Sequence, residues 1–395
     1  MPLTLLLDMD DTLLNTNISA FIPAYFQELV KALAPYAPPD ALMRGLLAGT
    51  NAMNANQDFA RTLKEAFEEV FLPIVQTSRE TLAPAIEDFY DHTFPTLQRL
   101  TSPKPEAKPF IDWARARSIR IAIATDPLLP FKANAQRLQW AGFDPKDFAL
   151  VSAYENFSFT KSQPAYYAEI LGQIGWADGA VLMVGNDMER DILPAQQLGL
   201  ATYYLNEESP AEENAASGTL DSLPAWIESR LESGALQPAA ASREAIVEWL
   251  RAAPAALNGL ARPLTLSDWQ RKTSPEDWSL TELICHLRDT EREVHHIQIQ
   301  LFQQSGDLFI PRPDSTVWSS ERNYAEEDGA AALRQFNQAR RETLDMINEL
   351  PAEAWQRGAR HAIFGRTNFL ETLRFINDHD RLHARQAWEI RQRSR

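Results

Sequence analysis

Five short apolar runs, most of them followed by a longer helical stretch, govern what the first 232 residues can fold into. They are Leu3 to Leu7, Ile119 to Ala124, Ala149 to Ser152, Ala180 to Val184 and Ala201 to Leu205. Alternation of this kind is the pattern of a parallel α/β sheet. Most of the runs are continuously apolar, as expected of strands covered on both faces. Between the first two runs, residues 15–101 carry no convincing strand signal and read as several helices broken at Pro38/Pro39, Pro73 and Pro84. This segment is an inserted helical cap. After Leu205 the chain turns acidic and small (NEESPAEENAASG), offers a short helix near Leu223 to Leu231, and reaches SGALQPAAAS, so residues 233–242 are the expected linker.

Beyond the linker the pattern changes. Four helical stretches, near 243–261, 280–304, 328–350 and 368–393, follow with no strand among them, and an antiparallel four-helix bundle is the economical arrangement. Ser279 and Glu282 form a capping-box pair at the start of the second. The expected organisation is a Rossmann-like α/β core over 1–232 with its helical cap at about 15–101, then an all-α four-helix bundle over 243–395. A chain of 395 residues is long enough for each part to bury its own core.

The polar residues that end the strands carry the chemistry. Asp8, Asp10, Asp11 and Thr12 follow the first run directly (LLLDMDDTL), Thr125 and Asp126 end the second (IAIATDP), Lys161 comes after the third (FTKSQP), and Asp187 and Asp191 follow the fourth (VGNDMERD). Open α/β sheets place ligands at the carboxyl ends of their strands, so all of these land at one edge. Displacing phosphate from an ester needs a nucleophile, a proton donor for the leaving oxygen and positive charge around the equatorial oxygens. Two carboxylates serving one metal stay ionised because the cation offsets their repulsion, and Mg²⁺ prefers such oxygen ligands. Lysine and threonine supply donors to the phosphoryl group.

These four ordered motifs resemble those of the haloacid dehalogenase (HAD) phosphatases, over roughly residues 1–232. The resemblance implies that Asp8 forms an aspartyl-phosphate and that Asp10 protonates the leaving group and then activates water. It implies that Thr125 and Lys161 hold the phosphoryl group, and that Mg²⁺ sits among the Asp8 carboxylate, the Asp10 carbonyl and the fourth-motif acids. Where many relatives have Gly-Asp, this chain has Gly185-Asn186-Asp187. The expected acids are Asp187 and Asp191, with Asn186 contributing through its amide oxygen.

A second constellation lies in the bundle. The apolar stripe of the last helix runs Leu373, Ile376, His379, His383, Ala387, Ile390, which puts two histidines four apart at seam positions. His286 stands at the margin of the corresponding stripe on the second helix, and three inward imidazoles suit a divalent transition metal. Asp378, Asp380 and Arg381 mark part of the last helix's face as wet. His295, His296 and His361 show no comparable arrangement, and Cys285 reads as a small buried hydrophobe. WSLTELICHLRDTERE and FINDHDRLHARQ resemble the signatures of the DinB-like (DinB/YfiT-type) four-helix bundles. That likeness implies a bound metal, Zn²⁺ or Ni²⁺ among the candidates, at His286, His379 and His383. In some members it implies chemistry on low-molecular-weight thiols.

The net charge of −16 belongs to the first part. Residues 1–242 hold 17 Lys/Arg against 31 Asp/Glu, and residues 243–395 hold 21 against 23. Neither part offers the basic footprint that phosphate backbones require, so no nucleic-acid partner is expected. The longest apolar N-terminal run is five residues followed by an aspartate, too short for a signal peptide or a membrane span. A single cysteine excludes an intrachain disulfide and agrees with a reducing, cytoplasmic setting. The expected activity is Mg²⁺-dependent hydrolysis of a small phosphorylated metabolite. Thiol transfer in the bundle as the main reaction and a regulatory binding protein are the alternatives, and the oligomeric state, a homodimer included, stays open.

Overall fold

The computed structural model describes residues 2–393 apart from 177–178, 207–215, 240–241, 273, 275 and 305. Most of the acidic stretch after Leu205 and two residues of the expected linker therefore lie outside the described residues. By its contacts the chain divides into two units, Met1–Ile170 with Asp178–Ala239, and Leu171–Ala177 with Ala240–Arg395.

In chain order the first unit holds β1 (Leu3–Leu7), β2 (Leu14–Thr16), four helices α1 (Ile18–Leu33), α2 (Pro39–Ala55), α3 (Leu63–Val75) and α4 (Arg79–Asp88), and β3 (Thr101–Pro103). It continues with α5 (Ala107–Ala116), β4 (Arg120–Ile123), α6 (Phe131–Trp140), β5 (Leu150–Val151), α7 (Pro164–Gln173, of which residues 164–170 count with this unit) and β6 (Ala180–Gly185). It closes with α8 (Leu193–Gln197), β7 (Ala201–Leu205), β8 (Ser217–Gly218) and α9 (Leu223–Leu231). The main sheet is parallel throughout, in the order β5-β4-β1-β6-β7-β8. Every residue of β1 and of β6 is buried, as expected of neighbouring strands in the middle of a sheet covered on both faces.

The segment expected to be wholly helical is bracketed by a two-stranded antiparallel ribbon, β2 with β3, that carries the chain out of the sheet and back. Three residues per strand are too few to leave a periodicity in the sequence. Pro39 opens α2 at the position where its missing N–H costs nothing. Pro73 and Pro84, expected to break helices, lie inside α3 and α4. Thr62 and Glu65 form a reciprocal capping box that starts α3.

The second unit contains α10 (Arg243–Ala261), α11 (Leu266–Trp269), α12 (Leu280–Thr290), α13 (His296–Leu301), β9 (Leu308–Ile310), α14 (Trp318–Glu321), α15 (Gly329–Glu349), β10 (Gly358–His361), β11 (Gly365–Asn368) and α16 (Phe369–Arg393). A π-turn over Glu291–His295 joins α12 to α13, so the four long helices of the bundle stand where the periodicity put them. The expectation of no strand is corrected, since β9, β10 and β11 form a small sheet. GARH and GRTN have no apolar alternation, so nothing local announced them. The Ser279–Glu282 capping box forms as read, with Ser279 N–H donating to Glu282 at 2.8 Å and Glu282 N–H to Ser279 Oγ at 3.2 Å.

At the centre of the bundle lies a charge network absent from the sequence reading. Arg340 is fully buried and donates to Glu291 at 2.6 and 2.9 Å and to Asp380 at 2.6 and 3.1 Å. Asp380 was expected on a wet face, yet it is 1% exposed. The correction has a physical cause: a carboxylate is buried where another helix brings a cation to it, and sequence shows only its own helix. No helix among the described residues is long and apolar enough to cross a membrane.

Candidate active site and candidate metal centre

The carboxyl ends of β1, β4 and β6 converge. Asp8 follows β1 and donates its N–H to the Val184 carbonyl at 3.0 Å, which pins it beside the end of β6. The N–H groups of Leu13 and Leu14 then fold back on the Met9 carbonyl at 2.9 and 3.0 Å, a tight turn that brings the Thr12 hydroxyl to Asp8. Asp11 takes a positive φ of 54° there, and its carboxylate accepts from Thr16 N–H at 2.8 Å. Asp11 thus supports the ribbon at β2.

Asp8 is buried, with Lys161 Nζ 2.5 Å from Oδ1 and the Thr12 hydroxyl donating to Oδ2 at 3.3 Å. Lys161 also pairs with the fully buried Asp191. Burial pushes the Asp8 carboxyl up to about 7 although Lys161 pulls it down, while Asp191 and Asp10 add to the rise. Burial alone would depress Lys161, but Asp191 and Asp8 outweigh it and hold the ammonium well above its ordinary range. Gly185 makes this packing feasible, since a Cβ there would lie 2.2 Å from Asp191 Oδ2.

Thr125 is buried at the end of β4, its carbonyl held by Ser152 Oγ and by the Tyr166 hydroxyl, each at 2.6 Å. Neither clamp was marked by the sequence reading. Asp10 is ion-paired with Arg137 of α6, a 3% exposed guanidinium that the sequence reading also missed. Buried arginine on an otherwise ordinary helix leaves no local signal; only the fold shows what it faces.

Asp187 departs from expectation. Its Oδ1 accepts from the N–H groups of Glu189 at 2.9 Å and Arg190 at 3.1 Å, which makes it the cap of the turn that carries Asp191. A chain passing from strand into helical turn has free N–H groups, and the first carboxylate takes them. Asn186 stands nearer the centre instead. Its amide lies 3.0 Å from the Asp10 carbonyl oxygen and 3.1 Å from Asp8 Oδ2, close enough for the NH₂ to donate to both. With the amide turned over, its oxygen joins a carboxylate and a carbonyl in an all-oxygen set of the kind a hard divalent cation takes.

In the bundle, His286 of α12 and His379 and His383 of α16 meet. His379 Nε2 is 3.2 Å from His286 Nε2 and 3.1 Å from His383 Nε2, and one ligand atom from each residue falls within 4.8 Å of the others. His383 Nδ1 lies 2.7 Å from Gln386 Oε1, an acceptor that places the proton on Nδ1 and leaves the Nε2 lone pair for the cluster. Burial, with neighbouring His383 and His295, pushes His286 down to about 3; burial pushes His383 to about 4 and His379 well below its ordinary value. All three are neutral at pH 7, the protonation state that binds metal. His295 lies beneath, its Nδ1 2.8 Å from Glu291.

Each constellation lies within a stretch of the chain that matches a family model. Residues 3–199 match the model of the haloacid dehalogenase-like hydrolases, and residues 249–387 that of the DinB superfamily. The chain carries a HAD-like hydrolase domain and a DinB-superfamily domain. No curated protein matches it. Solved structures that align with it include a HAD phosphatase from Thermococcus onnurineus, at 18% identity over 57% of this chain and 98% of that one, with a TM-score of 0.38. A 2-haloacid dehalogenase from Pseudomonas syringae pv. Tomato DC3000 aligns at 21% identity over 58% and 100%, with a TM-score of 0.42. YfiT from Bacillus subtilis, a four-helix bundle of unusual topology, aligns at 16% identity over 50% and 98%, with a TM-score of 0.35. The HAD-like domain holds the carboxylate centre and the DinB domain the histidine centre.

Proposed function

We propose that the HAD-like domain hydrolyses a phosphate monoester through a covalent aspartyl-phosphate on Asp8. The observation that carries this reading is the buried Asp8 carboxylate, which has an ammonium on one oxygen, a hydroxyl on the other and a second carboxylate, Asp10, two residues on. Asp8 attacks phosphorus, and Asp10, which takes up a proton before the attack, gives it to the departing ester oxygen. Asp10 then takes a proton from the water that opens the acyl phosphate, which returns Asp8 and frees inorganic phosphate. Lys161 and Thr125 hold the equatorial oxygens, and Arg137 positions Asp10.

The oxygen set fits Mg²⁺. The Asp8 carboxylate, the Asp10 carbonyl, the Asn186 amide oxygen and Asp191 would hold it, and it would offset the charge of Asp8 and the phosphoryl oxygens. The raised Asp8 supports this assignment, because a carboxyl pushed toward protonation by burial, and further by Asp191 and Asp10, is one that a cation returns to the charged form.

A second reading concerns the DinB domain. Three convergent Nε2 atoms, one fixed by Gln386, favour a divalent transition metal there, with Zn²⁺ and Ni²⁺ suited to the all-imidazole set. The test for both is phosphate release from a panel of monoesters with added Mg²⁺, run beside Asp8→Asn, with elemental analysis of the same protein. Turnover that vanishes in Asp8→Asn supports the phosphohydrolase. No turnover of any ester, with a stoichiometric transition metal, moves the main chemistry to the DinB domain.

A further inference from the structure

Above Asp10 and Thr125 the cap and core enclose a cavity of about 310 Å³. Much of its wall comes from three cap helices, each contributing one face: Ile22 and Phe26 of α1, Leu46 and Met53 of α2, Phe67 and Phe71 of α3. The spacings of four and seven residues put each set on a single stripe. Hydroxyls along these walls are few, on Thr50, Tyr25, Tyr90 and Tyr154, and three of them already bond within the protein. The Thr50 hydroxyl donates to the Leu46 carbonyl of its own helix at 2.9 Å, and the Tyr25 and Tyr90 hydroxyls bond each other at 2.8 Å. Charge is confined to the floor, where Arg137 pairs with Asp10 and Arg190 with Asp126.

We propose that the substrate is the phosphate monoester of an apolar alcohol, whose hydrocarbon body fills this cavity while its phosphoryl group rests on Asp8. The inference rests on the phosphohydrolase reading and narrows it. The cavity is continuous with the site, since Asp10 and Thr125 line it, so the group that leaves from phosphorus is the group the walls must accommodate. A hydrocarbon chain there gains about fourfold in transition-state binding per buried methylene. A sugar or glycerol body would bury several hydroxyls against largely apolar walls that offer only the hydroxyls of Thr50, Tyr25, Tyr90 and Tyr154, at a loss of roughly tenfold or more for each one left without a partner.

The experiment is kcat/KM of the full chain with Mg²⁺ on ethyl, butyl, hexyl and octyl phosphate. Glycerol 3-phosphate, glucose 6-phosphate and p-nitrophenyl phosphate are run beside them, and each is repeated with Asp8→Asn. The expected result is a rise of about fourfold per methylene until the cavity is full, with octyl phosphate at least about 100-fold better than glycerol 3-phosphate. Ile22→Asp and Thr50→Phe, which charge and fill the walls, lower the octyl-to-ethyl ratio at least about tenfold. That ratio is taken within each variant, so a poorly folded fraction cannot imitate the effect. A flat chain-length series, with Asp8-dependent turnover of glycerol 3-phosphate or glucose 6-phosphate, overturns the apolar substrate and leaves the phosphohydrolase standing. No release above the Asp8→Asn background from any ester, p-nitrophenyl phosphate included, overturns the phosphohydrolase and this inference with it.

Discussion

The sheet-edge centre and the bundle centre both crowd buried ligand atoms together, and burial moves them in opposite directions. It pushes Asp8 up to about 7, and it pushes His286 and His383 down to about 3 and 4. Both shifts favour the neutral form, but neutrality means different things in the two places. A protonated carboxyl is a poor ligand and a poor nucleophile, so the HAD-like domain must supply a cation of its own, and Lys161 between Asp8 and Asp191 is that cation. A neutral imidazole is the ligand already. Burial and one orienting acceptor, Gln386, are enough to prepare the DinB centre. Where the bundle does bury carboxylates, at Glu291 and Asp380, it follows the other rule and supplies Arg340.

The sharpest break between the two centres is Asp8→Asn. Phosphate release is expected to fall by at least about 10⁴-fold, as for loss of a covalent nucleophile, while transition metal measured by elemental analysis stays with the bundle. Loss of both would mean that the centres are not separate. Next in size is Arg340→Met, which leaves two buried carboxylates without their cation and is expected to cost about 3–5 kcal/mol in denaturant unfolding. A cost under about 1 kcal/mol would show that the bundle's carboxylates need no built-in partner. His379→Ala removes the nitrogen that sits between the other two, and metal affinity in a competition titration is expected to drop more than about 100-fold.

The smallest effect is on pH. In chelated protein the unfolded imidazoles take up protons below about 6.5 that the folded ones refuse until about 3 to 4, so their contribution is present above 6.5 and is lost as pH falls. Between pH 7 and 5.5 the unfolding free energy is expected to fall by about 1 kcal/mol for each of His286 and His383. A fall that is smaller in His286→Gln than in the parent by about 1 kcal/mol would assign that share of the loss to this cluster.

The candidate centres were partly legible in the sequence, and the boundary has a physical form. Asp8, Asp10, Thr125 and Lys161 could be read because each follows a continuous apolar run, and a parallel sheet brings the ends of its strands to one edge. His379 and His383 could be read because four residues on a helix share a face, and an apolar stripe says which face is inside. The side chains that were missed act across elements. Arg137 on α6 reaches Asp10, Ser152 and Tyr166 clamp Thr125, and Arg340 on α15 draws Asp380 inward. Asn186 and Asp187 were adjacent candidates whose roles depend on one backbone turn, and that turn spends Asp187 on its free N–H groups.

Sequence by itself determined the alternation of strand and helix, the change to a part built on four long helices and the residue types at the strand ends, because periodicity and hydrophobicity act over a few residues. Only the tertiary structure decided which buried charge meets which, that cap helices α1, α2 and α3 turn apolar faces toward Asp10, and that three-residue strands pair at all. Those outcomes depend on partners distant in the chain, and burial makes an unmatched charge or hydroxyl too costly to leave to local preference.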